Sequence, residues 1–341
     1  EIIGRDAVIR TPFGERRVTY ADYTASGRSV RFIERYLEKV LELYGNTHTE
    51  DDATSILTSR RLRRAESTIK RLLGAGDCFK IIEDGATGAV HRLQQILGIY
   101  IPPAGKDMYR KLCERWFRGG GLAEFEAFML ANRPVVFVGP YEHHSNEVSW
   151  RECFAEVVEI ELDEEGLLDL ADLERKVSDP KYRARRKIGA FFDYAAIAPY
   201  ARIEVCRGED CFLDGIFFSP HKLLGGPGAS GILIIHERIY RHDLPPTIGA
   251  GGTVEFVNLE AQEYSPEIEV REQPATPRIP HTLRAAPARP AAHPPLQLTG
   301  NPDPSTHPAP GRHRVDRDPS CRPRRRGRDR LRRGSGARAP C

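Results

Sequence analysis

Apolar residues recur at helical spacing over residues 29–43, at Val30, Ile33, Leu37, Val40 and Leu41, the pattern of a helix with one buried stripe. Residues 59–73 repeat it through Leu62, Ala65, Ile69, Leu72 and Leu73. A strand-like run at 79–82 follows, then a glycine-containing turn at 84–88 and a further amphipathic helix to about Leu97. Residues 135–138 and 157–162 read as strands, and 168–177 as a helix. Three short apolar runs bounded by turn residues, 190–192, 215–218 and 231–235, read as further strands. Strands alternating with helices predict an α/β domain built on a mainly parallel sheet.

The pattern stops near Pro280. Residues 280–341 hold 12 of the 26 prolines and 14 arginines, with no Ile, Phe, Tyr, Trp, Met, Lys or Glu. Such a segment buries too little apolar surface to offset its ordering entropy and is expected to be disordered. Ala, Arg, Pro and Gly all have GC-rich codons, so their joint excess also fits an out-of-frame reading of a GC-rich gene. The expected organisation is a large domain over 1–254, the start of a small C-terminal domain over 255–279, and the low-complexity tail over 280–341.

Composition sharpens this picture. Apolar content of 40% and charged content of 29% suit a globular protein. The net charge of +3 divides into +10 for residues 280–341 and −7 for the remainder. A mildly acidic body gives no reason to expect nucleic acid; the arginine-rich tail is the one alternative route to it. No apolar run is long enough to span a bilayer. Seven scattered cysteines without a C-x-x-C pair favour a reduced, cytoplasmic setting over a disulfide framework or a zinc site.

Four segments carry candidate chemistry. The 215–218 run ends in Ser219-Pro220-His221-Lys222 and a glycine-rich loop to Gly228. The 190–192 run ends in Asp193, and the 135–138 run leads to Glu142-His143-His144-Ser145-Asn146. Gly85-Ala86-Thr87-Gly88 opens a helix. Ligands bind at the carboxyl ends of strands in open α/β sheets. A lysine nucleophile, an acid to hold a ring nitrogen protonated, a flat group for the ring face and helix N-terminal donors for a phosphate are what pyridoxal 5′-phosphate (PLP) needs. A metal site from His143, His144 and Glu147 is weaker, because adjacent histidines seldom converge on one ion.

Taken in order, these motifs resemble the class V aminotransferase superfamily, particularly its cysteine-desulfurase-like branch. The resemblance starts at Tyr20-Ala21-Asp22-Tyr23-Thr24-Ala25-Ser26 and includes Tyr44-Gly45-Asn46-Thr47-His48-Thr49. It ends with Gly251-Gly252-Thr253-Val254 and Arg271-Glu272-Gln273-Pro274-Ala275-Thr276-Pro277, so it covers roughly the first 280 residues. It implies a PLP-dependent transferase of fold type I whose small C-terminal domain is truncated or replaced by the Pro/Arg-rich tail. It also implies a homodimer with the active site at the subunit interface. Lys222 matches the Schiff-base lysine, Asp193 the pyridine-nitrogen partner and His143 the ring stacker. Ala86, Thr87, Ser219 and His221 match the cofactor's phosphate-binding positions, and Thr253 a threonine that reaches the neighbouring subunit's phosphate.

The chain departs from the family pattern in four places. Ala196 stands where relatives have Gln, and Ala275-Thr276-Pro277 replaces Gly-Thr-Pro. Relatives carry a further strand and helix before the Asp193 strand, whereas Lys187-Ile188-Gly189-Ala190 runs straight into Phe191. The small domain that supplies a substrate-binding arginine and, in desulfurases, the nucleophilic cysteine is replaced by the tail. The expected function is a PLP enzyme acting on a small amino acid, with cysteine desulfuration leading and transamination or epimerisation next. The alternatives are an inactive, damaged family member and nucleic-acid binding through the basic tail.

Overall fold

A computed structural model describes residues 1–47, 51–84, 86–186, 189–208 and 210–288. An exposed antiparallel hairpin, β1 (Val8–Thr11) and β2 (Gly14–Arg17), opens the chain. Helix α1 (Arg31–Leu41) buries Ile33, Leu37 and Val40, the stripe its spacing predicts. Helix α2 (Ala53–Leu72) begins well before the predicted residue 59, because the Asp52 carboxylate accepts the Thr54 and Ser55 amides, each at 2.9 Å. Then come β3 (Phe79–Asp84) and α3 (Ala86–Ile96).

The stretch left unassigned by the pattern forms two helices, α4 (Pro103–Trp116) and α5 (Leu122–Asn132). Next are β4 (Val135–Val138), α6 (His144–Arg151), β5 (Glu156–Glu159), α7 (Leu170–Ser178) and α8 (Pro180–Arg183). Strand β6 (Phe191–Asp193) precedes a small hairpin of β7 (Cys206–Gly208) and β8 (Cys211–Phe212), then β9 (Gly215–Phe218) and β10 (Gly231–His236). A second hairpin, β11 (Val254–Val257) and β12 (Gln262–Tyr264), leads to α9 (Ile268–Arg271) and α10 (Ile279–Ala285).

Four strands form the central sheet in the order β3-β10-β9-β6. β6 runs parallel to β9, and β10 is antiparallel to both its neighbours, so the sheet is mixed. A separate parallel pair joins β4 to β5. Side chains alternate across the sheet, as a period of two requires. Ile82, Leu233 and Ile235 pack with Val90 and Leu93 of α3. Ile81, Ile232 and Ile234 pack on the other face with Ile69 of α2 and with Leu73. A third cluster joins α1, α2 and α10 through Ile33, Leu62, Ala65, Ile279 and Leu283.

Residues 1–254 and 255–279 fall within one compact unit. That unit takes in the first residues of the region read as a tail, since α10 buries Thr282, Leu283 and Ala285. The rest of the arginine-rich stretch, with the nucleic-acid route it offered, lies outside the described residues. Among the described residues no strand or helix lies between α8 and β6, where relatives were expected to carry one of each. Cys113, Cys153, Cys206 and Cys211 are free thiols. No described helix is long and apolar enough to cross a membrane.

Candidate active site

One cavity of about 480 Å³ lies where the strand ends converge, within the volume range of small-molecule sites. Lys222, His221 and Ser219 line it from the end of β9, and Asp193 and Ala195 from the end of β6. Thr87 and Val90 come from the first turns of α3, and His143, Ser145 and Asn146 from the start of α6. The structure therefore brings together Lys222, Asp193, His143, Thr87, Ser219 and His221. Ala86 opens α3 immediately before Thr87. Gly85 lies outside the described residues.

The lysine is held by a tight backbone arrangement. Strand β9 ends at Phe218, Ser219 is buried, and a single 3-10 turn spans Pro220–Lys222. The Lys222 amide donates to the Ser219 carbonyl at 3.0 Å and the Gly226 amide to that of Leu223 at 2.9 Å. The loop is tied to the segment after Ser26, with Gly27 N–H donating to His221 at 2.9 Å and Gly225 N–H to Arg28 at 2.7 Å. A Cβ at Gly27 would lie 1.9 Å from the Leu223 carbonyl oxygen, and one at Gly226 1.8 Å from that of Pro220. Both contacts are with backbone, so only glycine permits this approach.

Asp193 ends β6 opposite Phe217 of β9. Burial pushes its carboxyl up from the ordinary range, opposed by the Ala195 amide at 2.7 Å and by the charges of His143 and Lys222. The His221 imidazole is pushed down by burial and by the adjacent Lys222 ammonium. His143 caps α6: its Nδ1 accepts the Ser145 amide at 3.2 Å, which leaves Nε2 to carry the proton of the neutral ring. Behind it, buried Asn146 donates to Glu142 at 2.5 Å and accepts from the Trp150 indole at 2.7 Å, fixing the first turn of α6.

Thr253 does not line this cavity. It is buried elsewhere, its hydroxyl donating to the Ala250 carbonyl at 2.7 Å. Conversely Asp22, Thr24 and Ala25 do line it. They belong to the first motif of the family resemblance, yet no periodicity marks them as site residues. No described cysteine lines the cavity; Cys153 is buried away from it, and burial pushes its thiol up to about 11.

A mixed α/β sheet with a lysine and a carboxyl at the ends of adjacent parallel strands has the architecture of the fold type I PLP-dependent enzymes. Solved structures with a similar fold include the apo cysteine desulfurase of Thermococcus onnurineus NA1 (TM-score 0.57, 19% identity, 80% of this chain and 66% of that one) and the cysteine desulfurase CsdA of Escherichia coli (TM-score 0.54, 19% identity, 79% and 66%). In sequence, a probable cysteine desulfurase of Pyrococcus abyssi is 32% identical over 170 residues, covering 42% of this chain and 41% of the relative. One of Streptomyces coelicolor is 24% identical over 168 residues. No protein-family model matches. The chain thus spans about two fifths of the curated relatives it matches. Fold and sequence relatives together support kinship with the class V aminotransferase and cysteine-desulfurase-like superfamily.

Proposed function

We propose that this chain binds PLP in the 480 Å³ cavity and acts on a small amino acid through Lys222, with cysteine desulfuration as the leading reaction. The observation that carries this reading is the convergence of Lys222, Asp193, His143, Thr87, Ser219 and His221 on that one cavity. The donor set suits the cofactor. A buried carboxyl that is costly to ionise alone gains a partner in a protonated ring nitrogen. Thr87 at the N-terminus of α3, with Ser219 and His221, offers donors to a phosphate. PLP bound there supplies an electron sink for negative charge at the substrate's α-carbon.

The remaining roles fall to the chain itself. The Lys222 amine would be the nucleophile that holds the cofactor and, when free, would serve as the base for the substrate's α-proton. Asp193 holds the proton on the ring nitrogen. His143 covers one face of the ring, its orientation set by the Ser145 amide. Thr253, which does not line the cavity of its own chain, would serve the partner subunit's site in a homodimer. Transamination and epimerisation form the second reading: neither needs a thiol at the site, and no described cysteine lines the cavity.

The test is a visible absorption spectrum of the purified chain with PLP, before and after borohydride, followed by peptide mass mapping. A band that borohydride converts into a mass addition on Lys222, absent in Lys222→Ala, is the expected result. Folded protein that yields no such band overturns the proposal.

A further inference from the structure

We propose that the α4–α5 hairpin is a self-association surface that packs against the same hairpin of a second copy of this chain. Neither helix contains a buried residue. Yet α4 carries Met108, Leu112 and Trp116 at four-residue spacing along one stripe, and Trp116 is 83% exposed. Helix α5 has the sequence LAEFEAFMLAN, apolar but for Glu124, Glu126 and Asn132 and without a distinct polar face, and Phe128 is 62% exposed. Apolar side chains spread round a helix in this way are normally enclosed by protein. Lys106 near the start of α4 reaches the Glu152 carbonyl, and Phe117 stacks on Phe125 at 5.3 Å across the glycine turn.

Several features select a second copy as the cover. At 11 residues α5 is too short to span a bilayer. It also lacks the separate polar face of a helix that lies on one. The charges match their own symmetry mates. Arg115 lies in the last turn of α4 and Arg118 just beyond it, Glu124 and Glu126 open α5, and none of the four has an ion-pair partner among the described residues. A two-fold axis along the hairpin sets α4 of one copy against α5 of the other with the two turns side by side, so the arginines of one copy meet the glutamates of the other. Aromatic side chains of ~150–250 Å² each bring the exposed apolar area towards the ~800 Å² per partner of a stable dimer.

The hairpin also stands apart from the candidate active site along the chain. It leads into the amino end of β4, whereas His143 follows the carboxyl end. The contact does not rest on the proposed activity.

The experiment is light-scattering mass measurement of the full chain after size exclusion, with and without substitutions. Phe128→Glu is expected to halve the mass, and the wild-type Trp116 emission to shift to the red on dilution. Two charge variants guard against misfolding. Arg115→Glu with Arg118→Glu, and separately Glu124→Arg with Glu126→Arg, each halve the mass. Mixing the two restores it, because only the mixed pair is complementary. A wild-type mass of one chain at all concentrations overturns the proposal, including the case in which that single chain floats with anionic vesicles. Masses unchanged in all three variants overturn it as well.

Discussion

Asp193 and Lys222 act on one another across neighbouring parallel strands. Asp193 sits opposite Phe217 in the β6–β9 register, and Lys222 follows in the turn beyond β9. Burial raises the Asp193 carboxyl, and the Lys222 charge opposes that rise. Since the folded pKa lies above the unfolded one, the linked stability is complete below the ordinary aspartate range. It is lost as pH rises through the folded value. Asp193→Asn is therefore expected to raise the unfolding midpoint of the cofactor-free chain at pH 8 and to leave it nearly unchanged at pH 3. PLP titration of the same variant should show binding weaker by roughly tenfold to a hundredfold, the loss of one charge-assisted hydrogen bond.

The loop that carries Lys222 depends on glycine where backbone meets backbone. Gly226→Ala places a Cβ 1.8 Å from the Pro220 oxygen, so the turn must move. The expected cost is about 1–3 kcal/mol, read by urea denaturation, together with loss of the Lys222 absorption band. Gly251→Ala, with no atom within 4 Å of its added Cβ, serves as the comparison and should keep both.

Glu66 is a further buried acid whose carboxyl is raised. Desolvation pushes the Glu66 carboxyl up to about 7, helped by Glu269 and opposed by the Gln273 amide, which donates to it at 3.0 Å. The stability linked to Glu66 is complete below about 4.5 and is lost as pH rises through about 7. Glu66→Gln should thus gain stability over the wild type at pH 8 but not at pH 4 in paired denaturation curves. A gain that is equal at both pH values would remove the titration of Glu66 as its cause.

These properties were legible in the sequence to different depths. Helix α1 and strands β9 and β10 could be read directly, because one buried stripe or full burial leaves a clear period. Helices α4 and α5 could not: α5 has no periodicity, and no face of it is buried. Lys222, Asp193 and His143 could be picked out because each follows an apolar run. Asp22, Thr24 and Ala25 reach the same cavity on a segment tied to the lysine loop by the Gly27–His221 and Gly225–Arg28 hydrogen bonds, contacts between residues far apart in the chain. The break in the sheet was visible as a missing stretch before Phe191, and its structural consequence is the separation of the β4–β5 pair from β6.

That separation leaves β6 as an edge. It pairs with β9 on one side and with no strand on the other among the described residues, and Phe192 at its centre is 46% exposed. An exposed edge with an outward aromatic is a template for pairing with another chain, and a lysine at such a position blocks it. Phe192→Lys is expected to lower light scattering on heating and on concentration. Its effect on the unfolding free energy should stay within about 0.5 kcal/mol, since Phe192 is 46% exposed and its ring stacks on Tyr194 at 6.3 Å. Undiminished scattering would show that aggregation starts elsewhere. A stability loss of several kcal/mol would show that the outer face of β6 is covered in the native protein.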